Sequence, residues 1–433
     1  MFKSYVQKKL EEYVRRYFAA HPNVKLIGVA GSVGKTSTKA AIAEILTEGF
    51  RVRMELKNYN TEISAPMAIL GIDMPEKVRS FWAWRKVFKI AKQRIATPDD
   101  VDIIVQELGT DRVGDMANFM RYLKLDVAIV TGVTAEHMEQ FVTLENVAKE
   151  ELMAANMAEI AFINRDDVDG EAFAGLLTNQ NIVTYGNNDP AQYSFMVEDF
   201  DFEKGYTGVF KTVELGDIPA TVRVFGEHSL RPVLAAVAVG CKMGMSREQI
   251  QNGLLRTRPV AGRMNVLKGL AGSMIIDDTY NSSPAAMSAA LKTLYEVSAP
   301  SRIAVIGDMN EMGAESAAEH EKIGKMCDPA LLSWVITVGA EAEKYLAPAA
   351  QTRGCQVRSF KDAVSAVPFI MGVLEREYGA AVLFKGSQGG IYLEEIVKDV
   401  LHSSSDVVDL VRQSPAWMQE KREFFAKVQE SDE

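Results

Sequence analysis

The chain has 433 residues, of which 47% are hydrophobic, and this predicts two or three globular domains with ordinary buried cores. Its net charge of -10 argues against general nucleic-acid binding, and no apolar run approaches the roughly 20 residues of a membrane span. The three cysteines are widely spaced and form neither a metal-binding pattern nor a disulfide framework, and no secretory signal is visible, so we expect a cytoplasmic protein.

The first predicted elements are a helix, a strand and a glycine-rich loop. Apolar residues recur at helical spacing over residues 2–20, and Pro22 ends that pattern. A strand over residues 25–30 then leads into the run GVAGSVGKT at residues 28–36, and a second helix follows as far as Leu46.

This glycine loop predicts a site for nucleotide phosphates. Glycines permit the tight turn and let backbone amides approach phosphate oxygens, while the following helix adds the positive end of its dipole. We expect Lys35 to neutralise phosphate charge and the Thr36 hydroxyl to ligate Mg²⁺. The general pattern has glycine where this chain has Val29, and the alternative interpretation is a glycine turn without a ligand.

Strands alternating with helices predict a parallel sheet around this loop. Ligands of such sheets bind at the carboxyl ends of the strands, which is where Glu107, His137 and Asn164 fall. The further strands are expected over residues 102–106, 126–131 and 160–164.

A segment at residues 77–94 carries seven basic side chains and no acidic one. Its apolar residues lie between the charges, which indicates a cationic amphipathic helix. Such a helix suits an anionic membrane surface, a partner or an anionic substrate. The alternative, which we favour at this point, is a helix that packs its aromatic side into the domain and leaves a solvated basic face.

The second half of the chain predicts another doubly wound domain. Residues 181–225 have the pattern of a small antiparallel sheet, a helix is expected near residues 229–243, and residues 256–263 are the best linker candidate. The tail after Ser403 is expected to be helical and peripheral. The expected strands are 274–278, 302–307, 334–338 and 380–385, and the expected helices are 285–297, 315–326, 341–347 and 361–377.

Short motifs, in order along nearly the whole chain, resemble those of the Mur ligase family. Each is modest alone, but their order and spacing are specific. In the first half they are the glycine loop at 31–38, NYNTEISAP at 58–66, QELG at 106–109 with Gly114 and Asp115, AEHME at 135–139 and NRDD at 164–167. In the second half they are Gly262 with Arg263, IDDTYNSSP at 276–284, GDMNEMG at 307–313 and KGS at 385–387.

The resemblance implies an α/β fold in which a central P-loop, doubly wound, mostly parallel sheet domain precedes a Rossmann-like α/β domain. The implied divisions are an amino-terminal amphipathic helix at 1–23, the ATP-binding domain at 24–257 and the second domain with a helical tail at 258–433. The DDTYN and GDM segments are most similar to those of members that add D-alanyl-D-alanine to a UDP-muramoyl tripeptide.

The implied activity is ATP-driven amide formation in peptidoglycan precursor synthesis, with ATP and Mg²⁺ as cofactors. A carboxylate of the muramoyl peptide attacks the γ-phosphate, and the amine of D-alanyl-D-alanine then displaces phosphate from the acyl phosphate. One alternative is a ligase of the same fold that acts on a non-UDP carboxylate, such as a poly-amino-acid or cofactor synthetase. The other is a non-catalytic nucleotide-binding scaffold.

The resemblance also implies roles for single residues. Mg²⁺ is expected at Thr36, Glu107 and His137, and Arg263 is similar to the interdomain arginine that reaches ATP when the domains close. The expected catalytic residues are Lys35, Glu107, His137, Glu151 and Arg263. The expected nucleotide contacts are Gly31, Ser32, Gly34, Lys35, Thr36, Ser37, Asn164, His228, Arg263 and Asp278.

Three features depart from the family pattern. The family has an amino-terminal domain that holds UDP, and because the glycine loop begins here by residue 28 we expect that domain to be absent. Fourteen residues after the histidine the family has a carbamylated lysine that holds a second Mg²⁺, whereas this chain has Glu151. We hypothesise that the Glu151 carboxylate replaces the carbamate; the alternative is a surface acid. Beside His228, both asparagines of the family motif are replaced.

Overall fold

The computed structural model describes residues 2–55, 59–98, 101–188, 190–202 and 204–430 of the chain. It divides into two compact units, each built on its own six-stranded sheet, which confirms the predicted α/β class. The first unit comprises Met1–Arg223 and Leu230–Arg258, and the second comprises Val224–Ser229 and Pro259–Glu433.

The sheet of the first unit is parallel throughout. Its strands are β1 (Lys25–Ala30), β2 (Val52–Met54), β3 (Ile103–Glu107), β4 (Leu125–Val130), β5 (Ala158–Asn164) and β6 (Ile182–Tyr185). The order β2-β3-β1-β4-β5-β6 places the strand before the glycine loop in the interior of the sheet. β1, β3 and β4 are almost continuous runs of buried residues, as strands covered on both faces must be.

Helices cover this sheet, and a small antiparallel sheet follows it. The helices are α1 (Phe2–Ala20), α2 (Lys35–Leu46), α3 (Ser64–Ile69), α4 (Phe81–Ala96), α5 (Asp115–Met120), α6 (Met138–Phe141), α7 (Leu144–Asn156), α8 (Leu230–Lys242) and α9 (Arg247–Arg256). The antiparallel sheet consists of β7 (Ser194–Asp201), β8 (Gly205–Thr212) and β9 (Gly216–Val222). The predicted antiparallel region was therefore too long, because residues 182–185 form the parallel edge strand β6.

The amino-terminal helix is part of the first unit's core. Leu10, Tyr13, Val14 and Tyr17 are buried in the same apolar cluster as Trp84 of α4. The Tyr13 and Phe88 rings lie 5.8 Å apart, which joins α1 to α4 directly. Helix α1 is therefore held by its apolar stripe rather than by local helix propensity.

The second unit is a mixed sheet with one antiparallel edge. Its strands are β10 (Asn265–Lys268), β11 (Met274–Asp278), β12 (Arg302–Gly307), β13 (Trp334–Val338), β14 (Val357–Phe360) and β15 (Ala381–Lys385), in the order β10-β11-β15-β12-β13-β14. Only β10 is antiparallel to its neighbour. The helices are α10 (Pro284–Glu296), α11 (Ser316–Met326), α12 (Ala347–Thr352), α13 (Ala363–Arg376), α14 (Glu394–Val400) and α15 (Pro415–Glu430).

The carboxyl-terminal tail is more closely bound than the expected peripheral helix. Lys421 of α15 is buried, and its Nζ lies 2.8 Å from Glu394 Oε1 and 2.6 Å from Glu395 Oε1 on α14. Arg412 donates to both oxygens of Glu394 at 2.7 Å. These charge-assisted bonds attach the tail to the second unit.

Candidate active site

The glycine loop connects β1 to α2 and has the backbone conformation that its glycines permit. Gly31 has φ +123° and Gly34 has φ +79°. A Cβ on Gly31 would lie 2.3 Å from Thr131 Oγ1 and 2.8 Å from Thr131 N. Glycine is therefore required at position 31 by both conformation and space.

The end of β4 holds the back of this loop in place. Thr131 Oγ1 donates to Val33 O at 2.6 Å, and Thr134 N donates to Ser32 Oγ at 3.0 Å. Asn164 Nδ2 donates to Thr131 O at 2.8 Å. Because all these contacts come from residues of the first unit, the loop is held in this conformation without a ligand.

The Lys35 ammonium and the amino terminus of α2 lie together at the end of the glycine loop. Lys35 Nζ donates to Gly31 O at 2.5 Å and lies 3.8 Å from Glu136 Oε2. Gly34 gives α2 no side-chain cap, and the first turn of α2 has no acidic residue. The amides at the start of α2 are therefore suited to binding an anion.

Beside the loop, a buried carboxylate meets a hydroxyl. Glu107, at the end of β3, is only 2% exposed, and Thr36 Oγ1 donates to its Oε2 at 3.0 Å. Asn60 Nδ2 donates to Oε1 at 3.2 Å, and Lys39 Nζ lies 3.4 Å from Oε2. Carboxylate and hydroxyl oxygens suit Mg²⁺. Thr36 and Glu107 were predicted together from the sequence, whereas Lys39 and Asn60 were not assigned roles.

Glu151 lies at the loop and not on the surface, so the surface-acid alternative is wrong. It is 2% exposed; its Oε2 accepts from Gly31 N at 2.5 Å and its Oε1 accepts from Thr110 Oγ1 at 2.7 Å. Burial raises the pKa of Glu151, and the nearby charge of Lys35 opposes that rise. The neighbouring Glu150 has a different partner, because it accepts a hydrogen bond from Met116 N at the start of α5.

His137 contacts two acidic side chains near the loop. It has a left-handed backbone, φ 51°, immediately before α6. Its Nε2 lies 3.5 Å from Asp111 Oδ1 and 4.0 Å from Glu136 Oε1. Across the described ranges, no three His, Cys, Asp or Glu side chains are grouped closely enough to hold a metal ion. The four-residue metal set therefore stays a prediction.

A second polar cluster supports the loop from β5. Asn164 is buried, and its amide also donates to Asp167 Oδ2 at 2.8 Å, so its hydrogens serve internal contacts. Arg231 Nη1 donates to both oxygens of Asp167, at 2.8 and 2.9 Å. Burial raises the pKa of Asp167, and Arg231 opposes it. The sequence predicted Asn164 as a nucleotide contact and did not single out Arg231.

The predicted residues of the second unit lie around the end of β11. Asp278 Oδ2 accepts from Lys385 Nζ at 2.6 Å, and its Oδ1 accepts from Met264 N at 3.2 Å. Burial lowers the pKa of Lys385, and Asp278 opposes that change. The Arg263 guanidinium lies 4.2 Å from the centre of the Tyr280 ring.

Two further residues were predicted to contact the nucleotide. Ser37 is half-buried in the first turn of α2, beyond Thr36. His228 lies in a 3₁₀ turn, Glu227–Ser229, which belongs to the second unit. Asn58, part of one family-like motif, is outside the described residues.

Family models match both units of the chain. The Mur ligase middle domain matches residues 29–240, and the Mur ligase glutamate ligase domain matches residues 262–388. Over the described residues, no helix combines the length and apolar character needed to cross a membrane.

A curated relative and two solved structures are similar over most of the chain. The UDP-N-acetylmuramoyl-tripeptide–D-alanyl-D-alanine ligase of Bacillus subtilis is 26% identical over 388 residues, covering 88% of this chain and 76% of its own. MurF from Acinetobacter baumannii superposes with a TM-score of 0.74 at 22% identity, covering 91% of this chain and 80% of that one. MurF from Thermotoga maritima, solved with ADP, gives 0.73 at 21% identity, covering 91% and 83%.

Proposed function

Because the chain belongs to the Mur ligase family, we propose that it is an ATP-dependent amide ligase that joins D-alanyl-D-alanine to a UDP-muramoyl tripeptide. The observation that carries the proposal is the Thr36–Glu107 pair, held 3.0 Å apart and buried beside the glycine loop. A loop alone would equally suit a kinase or a GTPase. The relative from Bacillus subtilis supports the choice of substrates.

In this proposal the loop binds and orients the nucleotide phosphates. The amides at the start of α2 face the phosphate oxygens, and Lys35 offsets their charge. Lys35 now contacts Gly31 O and lies near Glu136, so it exchanges these contacts for phosphate when ATP binds. Asn164 acts through Thr131, whose contacts fix the loop against which the phosphates lie.

Thr36 and Glu107 are the proposed ligands of Mg²⁺, and their oxygen chemistry fits that ion. Bound there, Mg²⁺ would neutralise phosphate charge and polarise the γ-phosphoryl group toward attack. The Lys39 ammonium, whose Nζ lies 3.4 Å from Glu107 Oε2, holds that carboxylate in position. His137 remains a proposed ligand, and its contacts with Asp111 and Glu136 must be exchanged for that role.

Glu151 is proposed to take the place of the family's carbamylated lysine. Its support is position: a buried carboxylate hydrogen-bonded to the loop itself. A carboxylate offers the same negative charge and oxygen donors as a carbamate without requiring CO₂. Its present hydrogen bonds to Gly31 and Thr110 hold the loop and the β3–α5 connection together.

The remaining residues of the proposal belong to the second unit. Arg263, Asp278 and His228 are the candidate nucleotide contacts there. The Lys385–Asp278 ion pair holds the Asp278 carboxylate, which in turn accepts from the Met264 amide, next to Arg263.

Product analysis tests the proposal. The full chain is incubated with ATP, Mg²⁺, UDP-muramoyl tripeptide and D-alanyl-D-alanine, while phosphate release and product mass are measured. We expect phosphate release that requires both substrates and a product equal to their sum less one water. Release with another carboxylate and amine would instead indicate the cofactor or poly-amino-acid synthetase, and no release with any mixture would indicate the scaffold.

A further inference from the structure

Helix α4 is anchored to the first unit along one side only. Trp84, Val87 and Ala91 are buried, and Trp84 Nε1 donates to Val78 O at 2.8 Å. Phe88 contacts Tyr13 of α1. The Ser80 hydroxyl caps the helix by accepting from Ala83 N at 3.4 Å. The helix is therefore fixed in place, and its outward side is defined by this packing.

The opposite side combines exposed aromatic residues with cations. Trp82 is 73% exposed and Phe81 is 56% exposed, so the expectation that the aromatic side packs inward is only partly right. At about 100° per residue, positions 82, 85, 86 and 89 share one face. We call Phe81, Trp82, Arg85, Lys86, Lys89 and Lys92 the outer face of α4; all six are exposed.

The charged residues of this face are all basic. Residues 77–94 contain no acidic side chain, although the chain as a whole has a net charge of -10. Within the described part of the chain, no acidic side chain forms an ion pair with Arg85, Lys86, Lys89 or Lys92. The Arg85 guanidinium instead lies 5.8 Å from the Trp82 ring. These cations are thus available to an external anion.

The aromatic surface continues onto α1. Tyr5 is 52% exposed and its ring contacts Phe88, with 6.4 Å between ring centres. Phe2, at the start of α1, is 40% exposed. The surface therefore presents large aromatic side chains from two packed helices, with the lysines and arginine of α4 beside them.

We propose that the outer face of α4 binds the surface of an anionic lipid bilayer. Exposed tryptophan and phenylalanine enter the boundary between headgroups and acyl chains, while lysine and arginine contact lipid phosphates. Cations alone would suit any polyanion, but a solvated Trp82 among them favours a surface with an apolar layer beneath the phosphates, and the net charge of -10 disfavours nucleic acid. Membrane attachment of this kind is peripheral and reversible, and it does not depend on the proposed ligase activity.

Vesicle flotation of the full chain tests this proposal. Vesicles of phosphatidylcholine alone are compared with vesicles of equal parts phosphatidylcholine and phosphatidylglycerol, at low and high salt. We expect binding to the anionic vesicles only, weakened by salt because exposed charges are screened. Emission from Trp82 should shift to shorter wavelength on binding, and Trp82→Phe should remove that shift.

Matched variants separate this face from general electrostatics. Lys86→Glu with Lys89→Glu should lower the vesicle binding constant at least about 25-fold, since each lost cation weakens binding about fivefold. Phe81→Ala with Trp82→Ala should weaken it without changing net charge. The controls are Lys268→Glu with Lys292→Glu and Tyr378→Ala, which alter exposed residues of the second unit and should bind like the unchanged chain.

Three outcomes would overturn the proposal. They are equal binding to neutral vesicles, equal loss in the control variants, and a chain that binds no vesicles but self-associates through this face in sedimentation velocity. Circular dichroism and phosphate release accompany every variant. None of the altered residues belongs to the proposed active site, so both should match the unchanged chain.

Discussion

Replacing Glu151 by glutamine or alanine separates its charge from its structural contacts. In Glu151→Ala, the Gly31 amide and the Thr110 hydroxyl lose their buried acceptor. Each unsatisfied donor costs about 1–3 kcal/mol, so we expect the free energy of unfolding to fall by about 2–6 kcal/mol. In Glu151→Gln, the amide oxygen can accept from Gly31 and the amide nitrogen can donate to Thr110. Since burial disfavours the charged form, this variant should unfold within about 1 kcal/mol of the unchanged chain.

The ligase activity of the Glu151 variants should depend on the charge at position 151 and not on the stability of the variant. If Glu151 acts in place of the carbamate, Glu151→Gln should lower kcat about 10- to 100-fold and raise the Mg²⁺ concentration required. Urea unfolding at neutral pH gives the stability, and phosphate release under the product-forming conditions gives kcat. Bicarbonate should leave the unchanged chain unaffected and increase the activity of Glu151→Lys. A glutamine variant with unchanged kcat and Mg²⁺ dependence would refute the reasoning.

Three further changes test the loop, the metal pair and the second unit. Gly31→Ala places a Cβ 2.3 Å from Thr131 Oγ1, so binding of a fluorescent ATP analogue should fall at least tenfold in titrations; undiminished affinity would contradict the fixed loop. Thr36→Val should lower Mg²⁺-dependent phosphate release by about 10²-fold while Thr36→Ser retains most of it, and equal losses would show that the hydroxyl is not what matters. Burial raises the pKa of Asp277 to about 7. The folded state therefore keeps a proton that the unfolded state loses, and this carboxyl's contribution to stability should decline by about 4 kcal/mol as pH rises from about 4 to about 8. Asp277→Asn should flatten that slope in urea unfolding at several pH values, and an unchanged slope would exclude this carboxyl as its source.

The interior strands could be predicted because their burial on both faces gives them a mostly apolar sequence. β1, β3 and β4 have both faces covered and are therefore mostly apolar in sequence. The edge strands β2, β10 and β14 were not predicted. They have three or four residues each and are partly exposed throughout, so their composition resembles that of loops.

The candidate site could be predicted where a polar side chain lies at the carboxyl end of a strand. Glu107 and Thr36 were expected together, and they meet. Lys39 and Asn60 were missed as partners of Glu107, because which side chains reach a carboxylate depends on packing between distant segments. Helical spacing offered one usable signal: Lys39 is three positions after Thr36 and so lies on the same face of α2. Residues 58–66 already drew attention to Asn60 without indicating its target.

Buried ion pairs contribute to the attachment of the tail helix α15, and their strength depends on pH. Although burial opposes the change, hydrogen bonds and the charges of Arg412 and Lys421 lower the pKa of Glu394. A lowered carboxyl pKa gives stabilisation that is complete above the ordinary range for glutamate and is lost as pH falls through the folded value. We therefore expect acid to weaken the attachment of helix α15. Its amides should become open to hydrogen exchange in acid while the strands beneath stay protected, so that the second unit can lose its tail without losing its fold.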